Sequence, residues 1–214
     1  MSRSFYTGLP VRGSSLRLLA NLLSFWVWSQ GVEQAGGTLL RTEEQAAYQA
    51  AAEAVVASEF GAEVFGLEIK PVVPMMAARG MEDWKGRCLR AGGVLEFDTI
   101  NEIYDYGAYA GEDALADRIR RLGMCLFAPL AGYELLTGKT DKGADLEAII
   151  KKIPTGAIAD DWNHEEALLN EYFEQCQEAV ESRQSVVQAL AQRLLPRRSL
   201  KAEEIAEVLE VSDT

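Results

Sequence analysis

The stretch TEEQAAYQAAAEAVVASEFGAEVFGLEI, residues 42–69, decides most of what the sequence predicts about the fold. Thr42 and Gln45 have the spacing of a capping box, in which each side chain bonds to the backbone N–H of the other residue, so a helix is predicted to begin here. The segment that follows is rich in alanine and valine, and Gly61 is predicted to end it. Residues 64–69 alternate loosely between apolar and polar, which predicts a strand that ends at Pro71.

The remainder of the chain predicts a mainly α fold with a small β element near residues 64–97. The second strand of this element is predicted at Val94–Phe97, and residues 75–93 are predicted to form a loop or hairpin excursion between the two strands. Three tyrosines follow in a predicted acidic loop: Tyr104, Tyr106 and Tyr109.

Helical periodicity dominates from Asp113 onward. Apolar residues recur at helical spacing, although two glycines and a proline are predicted to kink or divide this segment. Those three residues are Gly123, Pro129 and Gly132, and Gly138 ends the segment. A short helix from Asp145, a long or broken helix over 165–195 and a last short helix over 200–209 are predicted after it.

The first 41 residues are predicted to form a separate N-terminal segment, with the main domain over residues 42–214. The segment contains an apolar stretch, Leu16–Trp28, which is shorter than the roughly 20 residues that a membrane-spanning helix needs. We expect this stretch to be a helix that packs on the main domain. The alternative is a helix that lies at a membrane surface, with its phenylalanine and tryptophans at the lipid boundary.

Charge and cysteine content exclude several classes of protein. The chain has 214 residues and a formal net charge of -12, and such a surface repels nucleic acid phosphates. The three cysteines, Cys88, Cys125 and Cys176, are far apart and form no Cys-x-x-Cys pair, which argues against a disulfide framework or a structural zinc site. We therefore expect a cytoplasmic protein, membrane-associated only if Leu16–Trp28 binds a membrane, with no nucleic-acid partner.

Three stretches carry a family pattern in order: AYQAAAEAVVA (residues 47–57) with EVFGLEI (63–69), AGYELLTG (131–138) with GADLE (143–147), and residues 194–205. Together they resemble the peptidase domain of the FtsH family of ATP-dependent zinc proteases. That family has an Ala-Tyr-His-Glu-Ala-Gly-His-Ala-Val-Val helix at the first stretch. At the second it has an Ala-Gly-x-x-Ala-Glu helix and a Gly-x-x-x-Asp-Leu turn, whose aspartate is the third zinc ligand. The resemblance covers about residues 42–209 and implies a helical FtsH-peptidase-like domain.

The residues that the family uses for catalysis are replaced here. Gln49, Ala50 and Glu53 stand at the positions of the first histidine ligand, the catalytic glutamate and the second histidine ligand, and only Asp145 keeps the family's identity. A His-Glu-x-x-His site needs two histidines on one helix face, and the chain has a single histidine, His164. The Gly-x-x-x-x-Gly-Lys-Ser/Thr loop of ATPases is also missing, so we expect neither zinc nor ATP to bind.

Gln49 and Glu53 lie at i and i+4 on one helix face, whose apolar residues predict that it is buried. A carboxylate there is costly unless it is paired, and the resemblance brings Asp145 close to it. A lysine or arginine of the chain, with Lys142 and Arg118 as candidates, a shared proton, or a hard cation such as Mg²⁺ or Ca²⁺ would compensate the two carboxylates. We favour the first two, so Glu53 and Asp145 are weak metal candidates. A simpler alternative is that Glu53 points into solvent.

Other candidate residues carry weaker predictions. His164 is predicted to lie exposed at a helix start, and Cys125 to be a core residue. Cys88 has arginines on both sides in the sequence, which favours a reactive thiol more than the surroundings of the other cysteines do. The three tyrosines predict either a binding surface for a basic or peptide partner, or a loop held in place by its own aromatic side chains.

These observations predict a catalytically inactive metallopeptidase-like domain that acts by binding a partner protein or by forming a homo-oligomer. The first alternative is a hydrolase with an unconventional, oxygen-liganded metal site at Glu53 and Asp145. The second is a membrane-surface adaptor that acts through residues 16–28.

Overall fold

The structure is a computed structural model that describes residues 41–72, 83–91, 100–139, 146 and 149–211. All of these residues belong to one compact unit, Leu39–Thr214. The predicted N-terminal segment with Leu16–Trp28 lies outside the described residues, apart from its last residue, Arg41.

The described part of the chain contains six α-helices and one three-stranded antiparallel sheet, which confirms the prediction of a mainly α fold with a small β element. In chain order, the elements are α1 (Glu43–Glu59), β1 (Glu63–Val72), β2 (Asp83–Ala91), α2 (Ile100–Ala110), α3 (Glu112–Thr137), α4 (Trp162–Ser182), α5 (Gln184–Arg197), β3 (Ser199–Lys201) and α6 (Ala202–Val211). None of the described helices is both long enough and apolar enough to cross a membrane.

Helix α1 begins at the predicted capping box. The Thr42 hydroxyl accepts a hydrogen bond from the Gln45 backbone N–H at 3.1 Å, and the Gln45 side chain accepts one from the Thr42 N–H at 2.9 Å. Gly61, with a φ of +75°, ends the helical segment in the left-handed conformation that glycine adopts without strain. Local hydrogen bonding therefore sets both ends of α1.

The alanine-rich middle of α1 lies at the centre of the fold, in contact with α3, α5 and both long strands. Two glycines on neighbouring elements allow this close packing. A Cβ atom on Gly132 of α3 would lie 2.5 Å from the Tyr48 carbonyl oxygen, and one on Gly86 of β2 would lie 2.0 Å from the Ala46 carbonyl oxygen. Small side chains on α1 and glycines opposite them bring the backbones together at both places.

The sheet has the strand order β2–β1–β3, and β1 pairs antiparallel with both neighbours. The sequence predicts a loop or a hairpin excursion over residues 75–93, and the loop alternative is wrong for Asp83–Ala91, because these residues form β2, the antiparallel partner of β1. The predicted partner, Val94–Phe97, lies outside the described residues. Four of the nine residues of β2 are charged and one is glycine, so its apolar content is too low to mark it as a strand.

β1 continues through Pro71 to Val72, three residues beyond Ile69, the last residue of the predicted strand. A proline lacks the backbone N–H that a ladder needs, so it is tolerated only where no neighbouring strand would accept that bond. β3 pairs with residues 66–68 of β1, which leaves Pro71 facing β2 alone. The short length of β3 therefore explains why the proline does not end the strand.

Three helical predictions need correction. Helix α3 is a single helix, undivided by Pro129 or by its glycines, and it ends at the predicted Gly138 with φ +65°. Gly123 instead lies against the Tyr172 ring of α4, where a Cβ atom would be 2.8 Å from ring carbon Cδ2. The helix predicted as long or broken over 165–195 is broken into α4 and α5, but it does not stop before Pro196, which lies inside the last turn of α5. The predicted acidic loop with the tyrosines is helix α2 from Ile100 onward.

Candidate functional site

The candidate site lies where α1 faces β2. Ala50 is 1 % exposed and lies against Gly86: a Cβ atom on that glycine would be only 3.1 Å from the Ala50 Cβ. The backbone of β2 therefore covers position 50 of α1. A glutamate at this position would have to insert its carboxylate between α1 and β2, where there is no space for it.

Glu53 lies one turn further along the same helix and forms an ion pair with Arg90 of β2. The Arg90 Nε donates to Glu53 Oε1 at 3.4 Å, and the side chains are 12 % and 20 % exposed, respectively. A protein-supplied cation was one of the arrangements predicted for Glu53, and the structure places Arg90 in that role. Arg90 was missed because it lies 37 residues away in a segment predicted to be a loop.

Of the two cations named from the sequence, only Arg118 lies among the described residues, and its described contacts are with α2. Arg118 of α3 donates to Glu102 at 3.0 Å, and its guanidinium lies 4.6 Å from the centroid of the Tyr106 ring. Lys142 lies outside the described residues.

Gln49 is 5 % exposed and therefore buried, as its position on the predicted face requires. Asp145 lies outside the described residues, so its approach to Glu53 stays a prediction. Within the part of the chain that the structure describes, no three histidine, cysteine, aspartate or glutamate side chains are grouped so that they could hold a metal ion.

An open recess of about 390 Å³ lies beside the Glu53–Arg90 pair. Its lining consists of Glu53, Phe65, Cys88, Leu89 and Arg90. The register of β1 against β2 shifts between Val64 and Gly66, and Phe65, at this bulge, is 48 % exposed. Bulges change the direction of a side chain in this way, and the sequence carries no sign of this one.

The three cysteines are poor nucleophiles in this fold. Burial raises the pKa of Cys88, and the nearby Glu53 carboxylate raises it further, although Arg90 acts in the opposite direction. Burial likewise raises the pKa of Cys176, and it raises that of Cys125 to about 12. The arginines beside Cys88 therefore do not produce a reactive thiol, because desolvation of the thiolate is the larger effect.

His164 lies near the start of α4 as predicted, where its backbone N–H donates to the Asp161 carboxylate at 2.9 Å. Its ring Nδ1 accepts from the Asp160 N–H at 3.2 Å, and the side chain is 43 % exposed. These bonds belong to the cap of α4, so the histidine has a structural role at the helix start.

The tyrosines of α2 divide into two groups. Tyr106 is partly buried beneath Arg118, whereas Tyr104 and Tyr109 are 63 % and 93 % exposed. Tyr106 therefore holds α2 against α3, and the binding of a partner by Tyr104 and Tyr109 stays a prediction.

Comparison of the chain with protein-family models gave no match, and comparison with curated proteins gave none either. The resemblance to the FtsH peptidase domain therefore rests on the sequence stretches themselves.

Proposed function

We propose that this chain is a catalytically inactive, FtsH-peptidase-like domain that acts by binding protein, either a partner or another copy of itself. The observation that carries this proposal is the closed contact between Ala50 and Gly86. The resemblance assigns the catalytic glutamate to position 50, where the structure has a buried methyl group against a strand backbone.

The Glu53–Arg90 pair supports the proposal at the second ligand position. The Arg90 guanidinium balances the charge of the Glu53 carboxylate, and its own positive charge repels a metal cation at the same carboxylate. The positive charge that zinc supplies in the family is supplied here by an arginine of β2. An arginine cannot activate water as a metal does, because it has no open coordination position.

The alternative of a hydrolase with a metal at Glu53 and Asp145 places a second cation beside the Arg90 guanidinium, which lies 3.4 Å from Glu53 Oε1 and repels it. Mg²⁺ and Ca²⁺ take several oxygen ligands each, and Gln49 is the nearest further oxygen donor on the same helix face. The membrane-adaptor alternative depends on residues 16–28, which the structure does not describe. Over the hydrolase we favour the non-catalytic protein, and the membrane adaptor stays a prediction.

A peptidase assay tests the proposal. The purified chain is incubated with unfolded casein and with Zn²⁺, Mn²⁺, Mg²⁺ or Ca²⁺ in separate reactions, and newly formed amino termini are counted. We expect no metal-dependent cleavage.

Glu53→Gln is the control, because it keeps the shape of the side chain and removes its charge. Trace cleavage that is equal in the wild type and in this variant comes from a contaminating protease. Metal-dependent cleavage that disappears in the variant would overturn the proposal and restore the hydrolase alternative.

A further inference from the structure

One face of the sheet packs on α1, and the other faces away from it. Leu67 and Ile69 of β1 are 0 % and 2 % exposed and point to the α1 side, so residues 66, 68 and 70 point to the opposite side. The register extends this outer sheet face to the neighbouring strands, because residues directly opposite each other lie on the same face. Lys70 lies opposite Lys85, Glu68 opposite Arg87 and Ser199, and Gly66 opposite Leu89 and Lys201.

The outer sheet face is basic, although the chain has a net charge of -12. Four cations from three strands meet on it, and all four are exposed: Lys70, Lys85, Arg87 and Lys201. Glu68 is the one carboxylate that the strand registers place among them, and it pairs with Lys70 at 2.5 Å. Within the described residues, the side chains of the other three cations have no carboxylate partner.

The arrangement of these cations has a cost. Lys70 and Lys85 lie directly opposite each other, and like charges in that position destabilise an antiparallel pair. A local arrangement that opposes folding is typical of a surface that binds a ligand, here a ligand of negative charge.

A surface of matching charge lies on helix α4. Glu171, Glu174, Glu178 and Glu181 are all exposed, and their spacing of three or four residues places them on one helix face. We call this face the α4 ridge. The sequence of α4 contains no lysine or arginine.

We propose that two copies of the chain associate through the outer sheet face of one and the α4 ridge of the other. This inference rests on the protein-binding function proposed above and specifies its partner. The two surfaces also match in size. The ridge is about 15 Å long at 1.5 Å per residue, and the cations extend about 10 Å across three strands and about 13 Å along them.

The contact is heterologous, since each copy uses a different surface. Such a contact leaves one basic face and one acidic ridge free at the ends of a pair, so a ring or a chain of copies forms rather than a closed dimer. Attraction between the two surfaces acts against the repulsion between two copies of like net charge, and both effects decrease in salt.

Sedimentation velocity of the full chain tests this proposal. In dilute buffer we expect species heavier than one chain, and in about 1 M salt, where the Debye length is about 3 Å, a single chain. Lys85→Glu with Arg87→Glu, and separately Glu174→Lys with Glu178→Lys, should each weaken association about 100-fold. An equimolar mixture of the two variants should associate again, because the reversed sheet face of one variant meets the reversed ridge of the other, and their two unreversed surfaces also attract each other.

Lys139→Glu with Lys152→Glu is the matched control for the variant of the sheet face. It makes the same change in net charge as that variant, at exposed positions outside the sheet. This variant should associate as the wild type does. A wild type that sediments as one chain under all conditions would overturn the proposal, and so would failure of the mixture to reassociate. Binding of poly-glutamate or of an oligonucleotide to the outer sheet face without self-association would overturn it in favour of a foreign acidic ligand. The casein assay on the same preparations reports separately on the absence of catalysis.

Discussion

Ala50→Glu places a glutamate at the position that the FtsH resemblance assigns to the catalytic residue. The structure predicts that this change disrupts the fold. Ala50 is 1 % exposed, and its Cβ lies against Gly86 on a strand whose backbone also touches Ala46. Two effects then add: extra volume in a filled space, and a carboxylate removed from water.

The size of each effect follows from its cause. Overpacking of a filled core costs about 1–3 kcal/mol. Burial of a polar group without a full set of partners costs about 1–3 kcal/mol more, and an ionised group costs more again. We therefore expect Ala50→Glu to lower the free energy of unfolding by about 3–6 kcal/mol, which is a large part of the roughly 5–15 kcal/mol that stabilises a typical domain.

Urea unfolding followed by far-ultraviolet circular dichroism measures this loss. Ala50→Met separates the two effects, because methionine adds a similar volume without charge and should cost about 1–3 kcal/mol. Ala206→Glu, at an exposed position of α6, should change stability by less than about 0.5 kcal/mol. A loss below about 1 kcal/mol for Ala50→Glu would show that position 50 has room for the glutamate, and the argument for a closed site would fail.

Three further predictions concern the same region. Arg90→Met should destabilise the protein by about 2 kcal/mol, and Glu53→Gln in the same chain should recover part of that loss. Urea unfolding of the two single variants and the double variant measures this coupling, and strictly additive changes in the free energy of unfolding would mean that the pair is not coupled. Gly132→Ala should lower the free energy of unfolding by about 3 kcal/mol or more although alanine favours helices, because its Cβ would lie 2.5 Å from a carbonyl oxygen. Gly156→Ala, with no atom within 4 Å of the added Cβ, should be nearly neutral. Burial raises the pKa of Cys125 to about 12, so the native state keeps a proton that the unfolded state loses above about pH 8.5. Between about pH 8.5 and pH 12, this thiol should therefore lower the free energy of unfolding by about 1.4 kcal/mol per pH unit. Cys125→Ala should make the decline less steep, and equal slopes in the two proteins would contradict the assigned cause.

The sequence by itself determined the features that depend on neighbouring residues. The capping box of α1 joins residues three apart, and the ends of α1 and α3 lie at glycines that adopt positive φ. Helical spacing likewise placed Gln49, Ala50 and Glu53 close together on one buried helix. These predictions succeeded because hydrogen bonds and side-chain spacing within one element follow from the local chain geometry.

Only the tertiary structure decided which residues from other elements meet this helix. β2 is polar and carries a glycine at its centre, so its sequence does not indicate a strand; it is held in place by pairing with β1 and by packing on α1. That pairing brings Arg90 to Glu53 and Gly86 to Ala50.

The basic outer sheet face has the same origin. Its four cations are scattered between positions 70 and 201, and no run of charges in the sequence indicates them. A strand places alternate side chains on one face, and the register of three strands then brings single cations from each into one surface. Register depends on which side chains the sheet buries against α1, and this selection is made by contacts between residues that are far apart in the chain.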